Sequence, residues 1–372
     1  MRILAIDVGT GTQDILLFDT EQTVENALKM VMPSPTLMVS RGIRQATSKR
    51  LSILLCGYQM GGGPSAWALR DHALAGLPAF ATPEAAQTLD DDLSKVESLG
   101  IKIVSDDEVK NLKVDVVIRS GDVMLEQILS AYAFFGVDAK FDVIAVAVFD
   151  HGKAPPDISD RKFRFDYIRK VIANGEGLAG FAYRRDDVPQ SMSRLVAVAA
   201  QLGGYTDAIV MDTAPAAILG ALEDPTSRPD DQHSSVVVNV GNFHSLAFHI
   251  DEQGVLGLFE HHTGEISPGF LEELLVELAS GQLTNQKVFD SMGHGAEIFR
   301  IPDSGSAKYV VVGPQRNVLY GSDLKPYFAA PYGDQMLVGC YGLLRAVAYR
   351  FPNYREEIVT SLERKEVIQP DW

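Results

Sequence analysis

Cysteine is nearly missing from this 372-residue chain: only Cys56 and Cys340 occur, each set among apolar residues. That scarcity excludes a disulfide framework and a cysteine-ligated zinc or iron–sulfur centre, and leaves two buried thiols as the expectation. Long apolar runs are missing as well. None approaches the ~18 residues of a membrane span, and Asp7 interrupts the N-terminal apolar stretch before it could serve as a secretory signal. The expectation is a protein of the reducing cytoplasm with no membrane contact. Positive charge is scarce: 33 Lys and Arg against 49 Asp and Glu leave a net charge of −16. That balance argues against a nucleic-acid partner, because phosphate backbones are bound by clustered cations. The one basic cluster, Arg161, Lys162, Arg164, Arg169 and Lys170, is diluted by Asp160 and Asp166 and reads as a solvated helix face. Gly-Lys-Ser/Thr is absent, which excludes a P-loop. No His-x3-His or His-Glu-x2-His spacing occurs, although His261 and His262 lie beside Glu260 and His294 lies between glycines; a transition-metal centre is not expected on that pattern.

What is present begins at residue 3. The apolar run Ile3 to Ile6 ends in Asp7, a turn of Gly9, Thr10, Gly11 and Thr12 follows, and Ile15 to Phe18 resumes the apolar pattern. That is strand, small-residue turn, strand. Glycines let backbone N–H groups approach a phosphate, and the threonine hydroxyls add donors. Asp7, at the mouth of the turn, is placed to hold a hydrated Mg²⁺ beside that phosphate. A dinucleotide fingerprint is excluded here, because its third glycine is Asp14 and a strand follows instead of a helix. The literal GxGxxG at Gly175, Gly177 and Gly180 follows the helical pattern of Phe165, Ile168, Val171 and Ile172, so it reads as a helix end.

Strands and helices alternate through the first part of the chain. Leu51 to Cys56 reads as a strand running toward Gly61, Gly62, Gly63 and Ser65, a loop whose N–H groups could form an anion nest for a substrate. Thr82-Pro83 opens a helix expected to run to Gly100. Phe141 to Phe149 is nearly all apolar, as in a strand buried on both faces, and ends in Asp150 and His151. Ala208 to Met211 is a strand followed by Asp212 and a helix, a place where ligands collect in α/β sheets. Residues 223–235 are polar and Pro-containing and read as a linker. Beyond it the opening pattern returns: strand Val236 to Val240, Gly241, strand His244 to Ile250. Ser267-Pro268 caps an amphipathic helix, Tyr309 to Val312 is a strand meeting Gly313, and a helix dotted with small residues spans Met336 to Phe351.

Two similar lobes, each offering a phosphate hairpin to a shared cleft, is the layout of the actin-like ATPases. DVGTGTQD (7–14) resembles that superfamily's first phosphate motif. NVGNFHS (239–245) resembles its second, with Asn239 where Asp is usual. MDTAPAAILGAL (211–222) and VGCYGLLRAVA (338–348) are similar to its two connecting helices. YVVVGPQRN (309–317) is similar to the adenosine motif, with Pro314 in place of the second Gly. The resemblance implies an α/β, two-lobe, ribonuclease H-like fold with an enlarged first lobe. The first lobe would span 1–222, the linker 223–235, the second lobe 236–335, and a C-terminal connecting helix and tail 336–372. It also implies ATP and Mg²⁺, with phosphates held by Asp7, Gly9, Thr10, Gly11, Thr12, Asn239, Gly241 and Asn242 and adenosine near Gly313.

More narrowly, MGGGPSAWALR (60–70), ATPEAAQT (81–88), VAVFDHG (146–152) and GHGA (293–296) resemble a prokaryotic family whose members carry the label of pyruvate formate-lyase activating enzymes. A radical enzyme of that name needs three closely spaced cysteines for its cluster, and this chain has two, far apart. An activating role would therefore run on ATP. In the sugar kinases of the superfamily, the Asp of the first connecting segment is the catalytic base. That implies Asp212 as base, with Asp150 the rival carboxylate and His151 a candidate substrate contact. The leading expectation is ATP-dependent phosphotransfer to a small molecule; the alternatives are an ATPase that activates or reactivates a partner enzyme, or a nucleotide- or metabolite-binding regulator without turnover.

Overall fold

The computed structural model describes residues 1–301 and 306–364; the last eight residues of the expected tail lie outside the described residues. Three sheets organise the chain. The first holds β1 (Arg2–Val8), β2 (Thr12–Asp19), β3 (Leu28–Pro33), β8 (Val143–Val148), β9 (Ala182–Arg184) and β10 (Ala208–Asp212), in the order β3-β2-β1-β8-β10-β9. The second, parallel sheet is inserted between β3 and β8. It comprises β4 (Ile53–Gly57), β5 (Ala79–Ala81), β6 (Ile101–Ile103) and β7 (Val116–Ser120), ordered β6-β5-β4-β7. The third holds β11 (His233–Val240), β12 (His244–Asp251), β13 (Gly254–His262), β14 (Gly295–Ile298), β15 (Ser306–Val312) and β16 (Tyr327–Phe328), in the order β14-β13-β12-β11-β15-β16.

The first and third sheets share one plan. Each opens with three antiparallel strands and then adds two strands parallel to its first: β1 pairs antiparallel with β2 and parallel with β8, and β11 pairs antiparallel with β12 and parallel with β15. This strand order, present twice, is the actin-like, ribonuclease H-like architecture. The inserted sheet and its helices enlarge the first lobe. Val143 to Val148 is buried throughout, as its unbroken apolar run requires between two parallel neighbours.

The connecting helices Thr213–Ala221 and Val338–Arg350 cross where both are glycine. A Cβ on Gly220 would run into the Val338 carbonyl, and one on Gly342 into the Ala216 carbonyl. Backbone therefore meets backbone, and only glycine permits it. The stretch expected as a linker is anchored at its start. Glu223 accepts two bonds from Arg345, each 2.8 Å, and Asp224 accepts from the Tyr327 hydroxyl at 2.7 Å.

Some local expectations are corrected. Residues 83–100 form two short helices, Pro83–Ala86 and Leu93–Ser98, not one. The acidic run Asp90 to Asp92 interrupts them, because Asp92 caps the second by accepting from Ser94 N–H at 3.0 Å. Cys340 is buried as expected, whereas Cys56 is only partly so. Among the described residues no helix is long and apolar enough to cross a membrane.

Candidate functional site

The two glycine turns are built alike. Gly9 N–H donates to Thr12 O at 2.9 Å, and Gly241 N–H donates to His244 O at 2.9 Å. Each bond closes a tight turn between paired strands. The turns also face one another: a Cβ on Gly11 would lie 3.5 Å from Asn242 Nδ2. Ser34 braces the first turn through Thr10 O at 2.5 Å and Gly11 O at 3.2 Å. Gln315 braces the second, its N–H on Val240 O at 3.0 Å and its amide on Asn242 Oδ1 at 3.1 Å. Gly313, at φ +100°, packs where a Cβ would meet Asn239 Oδ1 and Val240 O, each at 2.5 Å. The expected adenosine motif thus abuts the second hairpin.

Asp7 lies at the floor of this cleft. Thr213 Oγ1 donates to its Oδ1 at 2.5 Å, and Gly339 presses so close to its Oδ2 that no side chain would fit there. Burial pushes Asp7 up to about 6, with Thr213 opposing and the Asp212 charge adding. Asp14, its cross-strand partner, is pushed up to about 8 by burial and by Asp7. Two carboxylates at the mouth of one hairpin cannot both be charged cheaply without a cation.

Between the lobes lies a buried ion triad. Arg164, on the helix Asp160–Ala173, is fully buried, as are Asp212 and Glu260. Its Nη1 bonds Asp212 Oδ2 and, at 2.7 Å, Asp150 O. Its Nη2 reaches Asp212 Oδ1 at 3.2 Å and Glu260 Oε1 at 2.9 Å, and Nε adds Glu260 Oε2 at 3.1 Å. Burial works against the Arg164 charge, but the two carboxylates outweigh it and hold the pKa above its ordinary value. Burial pushes Asp212 up while Arg164 pulls it back. The solvated face expected for 161–170 is therefore corrected: Arg164 shares the inner face with Ile168 and Val171. The i, i+4, i+7 spacing was the signal available for it.

The candidate bases are both engaged. Asp212 accepts from Arg164 and from Ala214 N–H at 3.1 Å, as the N-cap of the connecting helix. Asp150 accepts from Gly152 N–H at 2.8 Å and Leu195 N–H at 2.9 Å; burial pushes it up to about 6. In the loop of Gly61, Gly62, Gly63 and Ser65, Gly61 N–H is taken by Asp122 Oδ1 at 3.2 Å and Ser65 N–H by Thr36 Oγ1 at 3.1 Å. The loop packs on the second hairpin, with Phe243 3.4 Å from where a Gly63 Cβ would be and Trp67 edge-on to Phe243.

Beside the triad, imidazoles gather from four segments. His244 stacks on Phe149 at 4.1 Å, and Phe149 carries Arg164 on its ring at 4.3 Å. His151, His262 and His294 lie 5.1, 5.0 and 5.1 Å from His244, ring to ring. Burial, with the nearby charge of Arg164 and the neighbouring rings, pushes His244 and His294 well below the ordinary histidine range, while His151 lies exposed at the rim. Local spacing could not reveal this cluster, because its members are separated by whole strands.

Residues 60–318 match the model of the family described as "Putative pyruvate format-lyase activating enzyme (DUF1786)". That is well over half the chain. The chain belongs to this family. The matched segment contains Asp150, His151, Arg164, Asp212, Glu260 and His294 and no cysteine. Among solved structures, the chain is similar to the ethanolamine utilization protein EutJ from Carboxydothermus hydrogenoformans, with 12% identity over 93% of this chain and 89% of that one and a TM-score of 0.33. It is also similar to the activator of the 2-hydroxyisocaproyl-CoA dehydratase from Clostridium difficile, solved with bound ADPNP, with 10% identity over 99% and 100% of the two chains and a TM-score of 0.33. At these scores the fold assignment rests on the strand order. No curated protein matches the chain in sequence.

Proposed function

We propose that this protein binds Mg-ATP between its two glycine hairpins and hydrolyses it to drive activation of a partner enzyme. The observation that carries the nucleotide reading is the pair of matched turns, facing each other with Asp7 between their lobes. The donor set fits the ligand. Thr10, Gly11 and Thr12 and, opposite, Asn239 and Asn242 offer donors to phosphate oxygens, while Gly9 and Gly241 spend their N–H groups closing the turns that present them, and a Cβ on Gly241 would lie 2.6 Å from His244 O. Asp7 would hold the hydrated Mg²⁺, whose charge relieves the crowding of Asp7 and Asp14. Bound nucleotide supplies the chemical energy. The residues of the chain bind it, orient it, and link the cleft to the lobe contact through Thr213 and Gly339.

Hydrolysis is favoured over phosphotransfer to a small molecule by the state of Asp212. A general base for an acceptor hydroxyl needs an oxygen within hydrogen-bond reach of that proton. Asp212 is fully buried and its oxygens are taken by Arg164 and Ala214. It acts instead as a positioning residue at the hinge of the first connecting helix. Activation of a partner agrees with the family description. The test is to incubate the protein with Mg-ATP and a panel of hydroxylated metabolites, measuring ADP and free phosphate together. Equal amounts support hydrolysis. ADP in excess of phosphate with any acceptor identifies a kinase and overturns this reading.

A further inference from the structure

Three other buried histidines show how this protein treats a structural imidazole. His72 bonds Thr47 and Pro78 O, His249 bonds Leu278 O and Ser234, and His261 bonds His262 O and Ser291: both ring nitrogens are satisfied in each. His294 is as deeply buried, 1% exposed, yet neither of its ring nitrogens has a partner, and Nε2 of His244 has none. A buried polar atom without a partner costs about 1–3 kcal/mol, so three such atoms in one cluster call for an occupant.

We propose that His151, His244 and His294 form a divalent transition-metal site that bridges the two lobes beside the second phosphate hairpin. One donor nitrogen from each lies within 4.8 Å of the others. Three imidazole nitrogens around a tetrahedral ion at 2.0–2.1 Å lie roughly 3.3 Å apart, so the rings close by about 1.5 Å at most. His151, on the exposed rim, has the freedom to supply that movement. An all-nitrogen donor set selects Zn²⁺, Co²⁺ or their neighbours over Mg²⁺ and Ca²⁺, which take oxygen. Three protein ligands leave a coordination position open, as in catalytic centres. His262 stands alongside, 4.6 Å from His294 ring to ring. Its Nδ1 meets Met292 O at 2.8 Å and so must be the donor, which leaves Nε2 with its lone pair.

Arginines also stand around the site: Arg164 carries two carboxylates, Asp212 and Glu260, Arg194 is paired with Asp122, and Arg161 donates to Gly293 O at 2.7 Å, next to His294. The site is also tied to the cleft. The carbonyl of His244 itself closes the Gly241 turn, and His294 N–H is fixed on Glu260 O at 2.8 Å. His151 follows β8 of one lobe while His244 and His294 belong to the other, so an ion here fastens the lobes at the phosphate hairpin.

The test uses the full chain, stripped with a chelator and titrated with Co²⁺ in the absence of nucleotide. That keeps it independent of the ATP reading. One Co²⁺ per chain is expected, with the visible absorption of a four- or five-coordinate ion and displacement by Zn²⁺. His294→Gln should abolish the band, His151→Gln should weaken binding at least about tenfold, and His233→Gln, on the far hairpin of the linker, should leave it unchanged. If His294→Gln fails to fold by circular dichroism, the rim variant His151→Gln decides. Absence of bound Co²⁺ in the parent, or binding by His151→Gln equal to the parent's, overturns the proposal.

Discussion

Arg164→Met is the most exposing perturbation of this fold. The guanidinium holds Asp212 of the first lobe, Glu260 of the second and the Asp150 carbonyl, and all three side chains of the triad are fully buried. Met fills much of the stem volume, so the loss is chiefly electrostatic. Removing one partner of a buried ion pair typically costs about 3–5 kcal/mol, because uncompensated charge is left behind. Here two carboxylates are stranded, which puts the expectation at the upper end. Against a total stability of roughly 5–15 kcal/mol, the variant should approach the edge of folding. Asp212, already raised by burial, also loses the cation that pulls it back, so the penalty should shrink as pH falls. Urea denaturation of the parent, of Arg164→Met, and of the triple variant with Asp212→Asn and Glu260→Gln measures this. The triple variant should recover about 1–3 kcal/mol over the single one, since the interaction energy belongs to the network. A single variant within about 1 kcal/mol of the parent, or a triple variant no better than the single, would refute the reasoning.

Two further perturbations probe the cleft and the lobe contact. Asp14 is held up to about 8 by burial and by Asp7, so the folded protein keeps a proton that the unfolded chain releases near its ordinary value of 3.8. Its contribution is therefore complete below about pH 4 and is lost as pH rises to about 8. Asp14→Asn should flatten the fall in unfolding free energy between about pH 6 and 8, and an unchanged slope would dismiss Asp14 as its source. Gly220→Ala should destabilise by at least about 1–3 kcal/mol, as its methyl meets the Val338 carbonyl. The control Gly204→Ala has open space around its Cβ and should leave the melting temperature nearly unchanged; equal melting temperatures for the two variants would sink the backbone-contact argument.

The elements that carry the fold are those with the simplest physical signature. β1, β2, β11 and β12 alternate or run apolar and meet at small-residue turns, and β8 is apolar throughout, so the doubled hairpin is legible in the order of residues alone. Edge strands β9, β14 and β16 have two to four residues and too little pattern to read. β3 is a half-exposed edge, but the helix Pro35–Ser48 carries a usable signal, a Ser34 cap followed by Pro at its first position. In the candidate site, Asp7 and the glycine turns stand out in the sequence because their pattern is local. Arg164 is hidden inside a charged run whose partners, Asp212 and Glu260, lie 48 and 96 positions away. The histidine cluster draws one residue from each of four segments: strand pairing within the third sheet brings His244, His262 and His294 together, and the packing of one lobe on the other adds His151.

Every role proposed for the cleft requires Mg-nucleotide binding across the facing turns. Thermal and chemical denaturation of the full chain with Mg-ATP measures it directly. At a hundredfold excess over the dissociation constant, the folded protein should gain about 2.7 kcal/mol, and Asp7→Asn should lose the Mg²⁺-dependent part of that gain while remaining folded. No stabilisation by any nucleotide at millimolar concentration, or a gain in Asp7→Asn equal to the parent's, would contradict it.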